Sequence, residues 1–194
     1  MELKDLILAI IKAYPKIDNI KIRKAIYFID STYYCLTEKQ LTDIVYIKLK
    51  FGPAPRKDYN KKLVDILNDK KLVDIEIYND DLNSIDYYDN PLYSLKDDIV
   101  IDFEKIENGN IVKRIIDNVV VFFKEHSTEE IIELTHNEVY KNMAFYEELP
   151  LCNIKNFNNI EMDFSLSKEE QEQAINHFKE IYQNENKLQA TISR

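Results

Sequence analysis

Residues 49 to 59, LKFGPAPRKDY, hold one of only two glycines in a chain of 194 residues. Glycine accepts backbone angles and close approaches that a side chain resists, so a chain this poor in it places one where the backbone needs it. Gly52 follows the run DIVYIKLKF, in which Val45, Ile47, Leu49 and Phe51 alternate with Tyr46, Lys48 and Lys50. That period of two predicts a half-buried strand. Pro53 and Pro55 cannot continue a sheet ladder, and Pro55 suits the first turn of a helix. FGPAP is therefore expected to convert strand into helix within five residues, with Tyr59, Leu63, Ile66 and Leu67 on the inner face of that helix.

Two helices precede this junction. Leu3, Leu6, Ile7, Ile10, Ile11 and Tyr14 recur at helical spacing until Pro15. A second stripe of Ile22, Ile26, Ile29, Tyr33 and Leu36 follows, with Asn19 as its expected cap. VDIEIYN at 73–79 alternates with Val73, Ile75 and Ile77 on one face, and DNPLYSLK at 89–96 offers a turn and a short strand. Beyond Gly109 the chain is helical, led by Ile111, Ile115, Ile116, Val119, Phe122 and Phe123. Three capping-box pairs, Ser127 with Glu130, Thr135 with Glu138 and Ser167 with Glu170, predict helices over 128–135, 136–147 and 168–184. The expected fold is α+β: a helical body of about seven helices with a small three-stranded antiparallel sheet. It forms a single domain over 1–194, with its core at about 3–150 and a C-terminal helix and tail at 165–194.

The apolar runs LILAII and IIDNVVVFF are too short to span a membrane, and the acidic, helix-forming N-terminus is unlike a signal peptide. Cys35 and Cys152 have no paired spacing; each is expected to be a small buried hydrophobe in a cytosolic chain. Net charge is −9, which disfavours general nucleic-acid binding. Residues 1–71 carry 15 basic against 9 acidic groups, and residues 72–194 carry 11 against 26. Within the second part, 80–107 holds nine acids and two lysines. This asymmetry bears on partners rather than fold.

No phosphate loop, zinc-protease helix, serine-hydrolase elbow or cysteine zinc pattern is present, and no catalytic, cofactor-binding or metal-ligating residue is assigned. His126, His136 and His177 are dispersed, and His136, at a helix junction, suits a structural role. Thirteen tyrosines are more telling, since tyrosine supplies rigid contact area with a polar tip.

The order IRKAIYFID (22–30), YIKLKFGPAPRKDY (46–59), STEEIIELTHNEVY (127–140) resembles the Panacea domain of SocA-like antitoxins. Lys24, Tyr27 and Phe28 match the family's first element; Phe51, Gly52, Pro53 and Tyr59 the second; Leu134, Thr135 and His136 the third. Ala54 replaces a branched residue, and Tyr140 stands where tryptophan is frequent. The resemblance implies a non-enzymatic antitoxin that binds a toxin encoded beside it. Family partners include translation inhibitors that modify transfer RNA, and some relatives deliver the toxin to a protease. A transfer-RNA-gripping toxin presents Lys and Arg, so the acidic strip Asp80, Asp81, Asp86, Asp89, Asp97 and Asp98, with Tyr78, Tyr87 and Tyr88 as anchors, is the expected toxin-binding surface. Two rivals remain: a winged-helix DNA regulator built on residues 3–96, and a hydrolase using His136.

Overall fold

The computed structural model describes residues 1–77, 91–136, 138–149 and 151. The elements are α1 (Leu3–Ala13), β1 (Ile17–Asp18), α2 (Asn19–Thr37), β2 (Tyr46–Leu49), β3 (Gly52–Pro55), α3 (Lys57–Leu67), β4 (Val73–Glu76) and β5 (Leu92–Leu95). After a 3-10 turn at Phe103–Lys105 come α4 (Gly109–Glu125), α5 (Thr128–Thr135), α6 (Glu138–Asn142) and β6 (Glu148–Leu149).

The core is helical. α1 buries Leu6, Ile7, Ile10 and Ile11 completely, because its apolar residues cover two adjoining faces. It packs with α2 and α4, whose inner residues include Ile22, Ile26, Phe28, Ile116 and Phe123. Phe28 and Phe123 meet edge to face at 5.2 Å. The α+β class and the three-stranded antiparallel sheet stand, with six α-helices among the described residues. No helix of the described residues is long and apolar enough to cross a membrane.

The strands form two sheets rather than one. β5 lies between β1 and β4, pairing Ile17 with Tyr93 and Ile75 with Tyr93 on its other side. β2 lies between β3 and β6, pairing Ile47 with Ala54 and with Glu148. β1 and β6 are two residues long, too short to show a period in sequence. In α1–β1–α2–α3–β4–β5 the first strand sits beside the last, the connectivity of a winged helix, with the β2–β3 hairpin inserted between α2 and α3.

Several expectations are corrected. FGPAP does not turn strand directly into helix: Lys50–Phe51 form a hairpin turn, and Gly52–Pro55 pair antiparallel with β2. Prolines are tolerated because β3 is an edge strand; Pro53 and Pro55 alternate with Gly52 and Ala54, so both missing N–H groups face away from β2. On the expected inner face Ile47 is buried, but Tyr46 and Lys48 on the opposite face are buried too, and Phe51, carried off the sheet by the hairpin turn, is 59% exposed. In β4 only Val73 is buried; Ile75 and Ile77 are exposed on an edge strand. The cap of α2 is Asp18, which accepts from Lys21 N at 2.8 Å, not Asn19. Cys35 is exposed.

Ser127 and Glu130 form the reciprocal capping box that starts α5. Thr135 is no cap: it ends α5 and its hydroxyl donates to the Ile132 carbonyl at 2.7 Å, so α6 starts only at Glu138 and spans five residues. Cys152, His177, the Ser167–Glu170 pair, the helix expected at 168–184 and the tail lie outside the described residues.

Candidate functional site

The three motif segments converge on Gly52. Its φ is +95°, and a Cβ placed there would lie 2.3 Å from Thr135 Oγ1 and 2.5 Å from Lys24 Nζ. α2 supplies Lys24, whose Nζ donates to the Pro53 carbonyl at 3.0 Å, capping an outward carbonyl of β3. α5 supplies Thr135. α6 supplies Tyr140, whose hydroxyl accepts from Gly52 N at 3.1 Å and donates to the Leu49 carbonyl. A phenol thus sits between the two groups that would otherwise close the hairpin. Tyr140 is stacked on His136 at 4.5 Å with an interplanar angle of 5°.

Lys48 clamps the same region from β2. Its Nζ donates to the Met143 carbonyl at 2.8 Å and the Lys141 carbonyl at 3.2 Å, and lies 4.7 Å from the Tyr140 ring centre. The remaining motif residues are packing material. Tyr27 meets Tyr46 edge to face at 5.0 Å, and Phe28 is in the core. Leu134 and Tyr59 pack at its margin, and Lys62 stands 5.2 Å from the Tyr59 ring centre. Phe51 is the exception, exposed at the hairpin tip.

The electrostatics reflect burial. Desolvation lowers the Lys24 ammonium to about 7, with Arg23 adding repulsion. It lowers His136, against a smaller opposing pull from Glu133, and raises the Tyr140 phenol. His136 Nε2 is buried and meets no hydrogen-bond partner among the described residues. The ring stacks on Tyr140, which agrees with a structural role. Lys24 and Tyr140 tie α2 and α6 to one hairpin by hydrogen bonds, and Thr135, bonded within α5, packs α5 against Gly52, which is a structural use. Among the described residues no cluster of three or more His, Cys, Asp or Glu could hold a metal ion.

Tyr140→Phe keeps the ring stack and removes the bridge. Gly52 N and the Leu49 carbonyl then lose their shared partner, and a loss of about 1–2 kcal/mol is expected in urea unfolding at an unchanged m-value. No measurable loss would mean that the hairpin closes without the phenol.

Beside this node is a groove of about 750 Å³ between α2, the hairpin and the start of α3. Its floor is apolar, with Ile20, Ile47, Leu49 and Pro53. Arg23 and Lys24 reach it from α2, and Arg56 and Lys57 stand at the α3 end. Phe51 and Tyr146 border it and are 59% and 74% exposed; Phe145, adjacent, is 61% exposed. Such a concentration of solvent-facing aromatics beside cations is interface chemistry.

Of the nine residues expected to touch a toxin, Asp97 and Asp98 are exposed in the turn after β5. Tyr78, Asp80, Asp81, Asp86, Tyr87, Tyr88 and Asp89 lie outside the described residues, in the link between β4 and β5. Sequence reasoning missed the groove, because Arg23, Arg56 and Tyr146 come from separate segments with no shared spacing.

The family model described as Antitoxin SocA-like, Panacea domain, matches residues 22–141, which run from α2 to α6 and include every motif residue at the Gly52 node. No curated protein and no solved structure matches the chain. The chain belongs to the SocA-like antitoxin family and carries its Panacea domain.

Proposed function

We propose that this chain neutralises a cognate protein toxin by binding it directly in the cytosol, with no bond-making step of its own. Family membership over residues 22–141 carries the reading. The exposed aromatics at the hairpin are consistent with it, as is the use of Lys24, Thr135 and Tyr140 to hold backbone. The toxin class that best fits the charge is a translation inhibitor that grips transfer RNA. Its Lys and Arg would face the strip that ends in Asp97 and Asp98.

The experiment is co-expression with the neighbouring reading frame. Growth arrest by that product alone, relieved by this chain and accompanied by a co-purifying complex, is expected. Arrest that persists despite soluble chain rejects the reading. Association is also expected to slow several-fold from about 50 mM to about 500 mM salt, because steering charges are screened beyond a Debye length. A rate indifferent to salt removes the charge-mimicry component and leaves direct binding intact.

A second reading is favoured by one observation, the winged-helix connectivity of β1, β5 and β4 around α1, α2 and α3. Against it, the sequence between β4 and β5 carries Asp80, Asp81, Asp86 and Asp89, and α3 presents Asp58 and Asp65 beside Lys57, Lys61 and Lys62. A gel shift on the DNA upstream of the gene at moderate salt separates the two: specific retardation supports the regulator.

A further inference from the structure

We propose that the groove between α2, the β2–β3 hairpin and the start of α3 grips an extended acidic segment of a partner protein. A carboxylate of that segment pairs with Arg23 beside Lys24, and a neighbouring apolar side chain enters between Phe51 and Tyr146. The identity of the partner as a toxin rests on the antitoxin reading; the chemistry of the groove does not.

Two basic side chains line the groove with no carboxylate partner among the described residues. The Arg23 guanidinium donates to Asn60 Oδ1 at 3.1 Å, to the Asn19 carbonyl at 3.3 Å and to Asn19 Oδ1, all neutral acceptors. Lys24 is 3% exposed and donates to the Pro53 carbonyl. None of the ion pairs among the described residues includes either one. Burial holds both below their ordinary pKa, Lys24 near about 7. Withdrawing a cation from water is costly unless a carboxylate compensates, so the Arg23 guanidinium, with no carboxylate partner among the described residues, leaves room in this apolar depression for one negative charge, and a carboxylate there would also favour the charged form of Lys24. Among the described residues Glu148 is the one acid lining the groove, and it is tied to Arg56 at 3.0 Å.

The backbone narrows how the occupant is held. The outer edge of β3 has no N–H to offer at Pro53 or Pro55, and Lys24 already covers the Pro53 carbonyl. Strand addition is therefore blocked, and recognition falls to side chains. A volume of about 750 Å³ suits a few residues, with one apolar anchor and one acid. Nucleic acid is the weaker candidate, since a chain of net charge −9 repels a polyanion beyond the local contact.

The test pans a phage-displayed library of random dodecapeptides against the full chain. Enriched peptides are expected to place Asp or Glu beside Phe, Leu or Ile. As synthetic peptides they should lose about tenfold or more in affinity to Arg23→Met and to Phe51→Ala, yet bind Asp97→Lys/Asp98→Lys no more weakly than the parent chain. Arg23→Met should still unfold in one cooperative transition, because removing a desolvated charge offsets in part the loss of its hydrogen bonds to Asn19 and Asn60. No enrichment, a basic consensus, or undiminished binding to both groove variants overturns the proposal. So does tight binding of a single-stranded dT15 probe that Arg23→Met abolishes. A chain that captures such peptides but fails to relieve arrest sinks only the antitoxin reading; Arg23→Met relieving arrest as well as the parent places the toxin elsewhere and sinks only the groove as its site.

Discussion

Gly52→Ala is expected to destabilise the chain by about 3–5 kcal/mol, and to lower its melting temperature by roughly 10 °C. Two separate costs combine. At φ +95° the backbone lies where L side chains are strained, worth about 1–3 kcal/mol. The new methyl would also sit 2.3 Å from Thr135 Oγ1 and 2.5 Å from Lys24 Nζ. Neither neighbour can swing aside cheaply. The Thr135 hydroxyl is held by the Ile132 carbonyl at 2.7 Å, and the Lys24 ammonium by the Pro53 carbonyl at 3.0 Å. Moving either leaves a buried polar group short of a partner. The double change Gly52→Ala with Thr135→Ala separates the terms: deleting the hydroxyl relieves part of the clash, so the pair should be less damaging than the sum of the singles. Additive losses would show that Thr135 does not close over Gly52, and a single-variant loss below about 1 kcal/mol would remove the close approach altogether.

The physical reason for Gly52 could be reached in sequence only halfway. Scarcity of glycine marked the position, and the adjoining prolines marked a break, but the partners pressing on Gly52 come from residues 24, 135 and 140. Their convergence is a tertiary fact with no local signature. The same limit explains β2. Alternation located the strand but not its buried face, since Tyr46 owes its burial to Asp30 and Tyr27 on α2, and both faces of the segment carry large side chains. Long stripes fared better: α1, α2, α3 and α4 each show enough helical periods for one face to average out. Thr135 failed as a cap because a hydroxyl followed by a glutamate three residues on also occurs at a helix end, where the hydroxyl can bond backward to a carbonyl. Arg23 and Lys24 were legible as basic residues; that no carboxylate among the described residues pairs with them required coordinates.

Asp30 carries the other large effect, and its size depends on pH. The carboxylate lies within the YFID segment of α2, fully buried. It accepts from Thr42 N at 3.0 Å, Thr42 Oγ1 at 2.5 Å and Tyr46 Oη at 2.5 Å, tying the segment before β2 to the helix. Asp30→Ala strands those donors in the core, so a loss of about 3–4 kcal/mol is expected. Burial raises the Asp30 pKa from 3.8 to about 6 despite its three donors, and raises the Tyr46 phenol as well. A folded-state value above the unfolded one means that the native state binds the proton more tightly. The stabilisation from protonating Asp30 is complete below the unfolded value and lost as pH climbs through about 6. From about pH 7 down to about pH 4 the parent should therefore gain about 2–3 kcal/mol relative to Asp30→Asn, which cannot titrate. Subtracting the two unfolding curves cancels the other carboxylates. A difference that stays flat would mean that the Thr42 and Tyr46 donors offset burial entirely, and one of opposite slope would mean that they outweigh it. In either case the segment joining α2 to β2, and with it the hairpin that frames the groove, would be held by a permanent anion rather than by a carboxyl that gains its proton near neutrality.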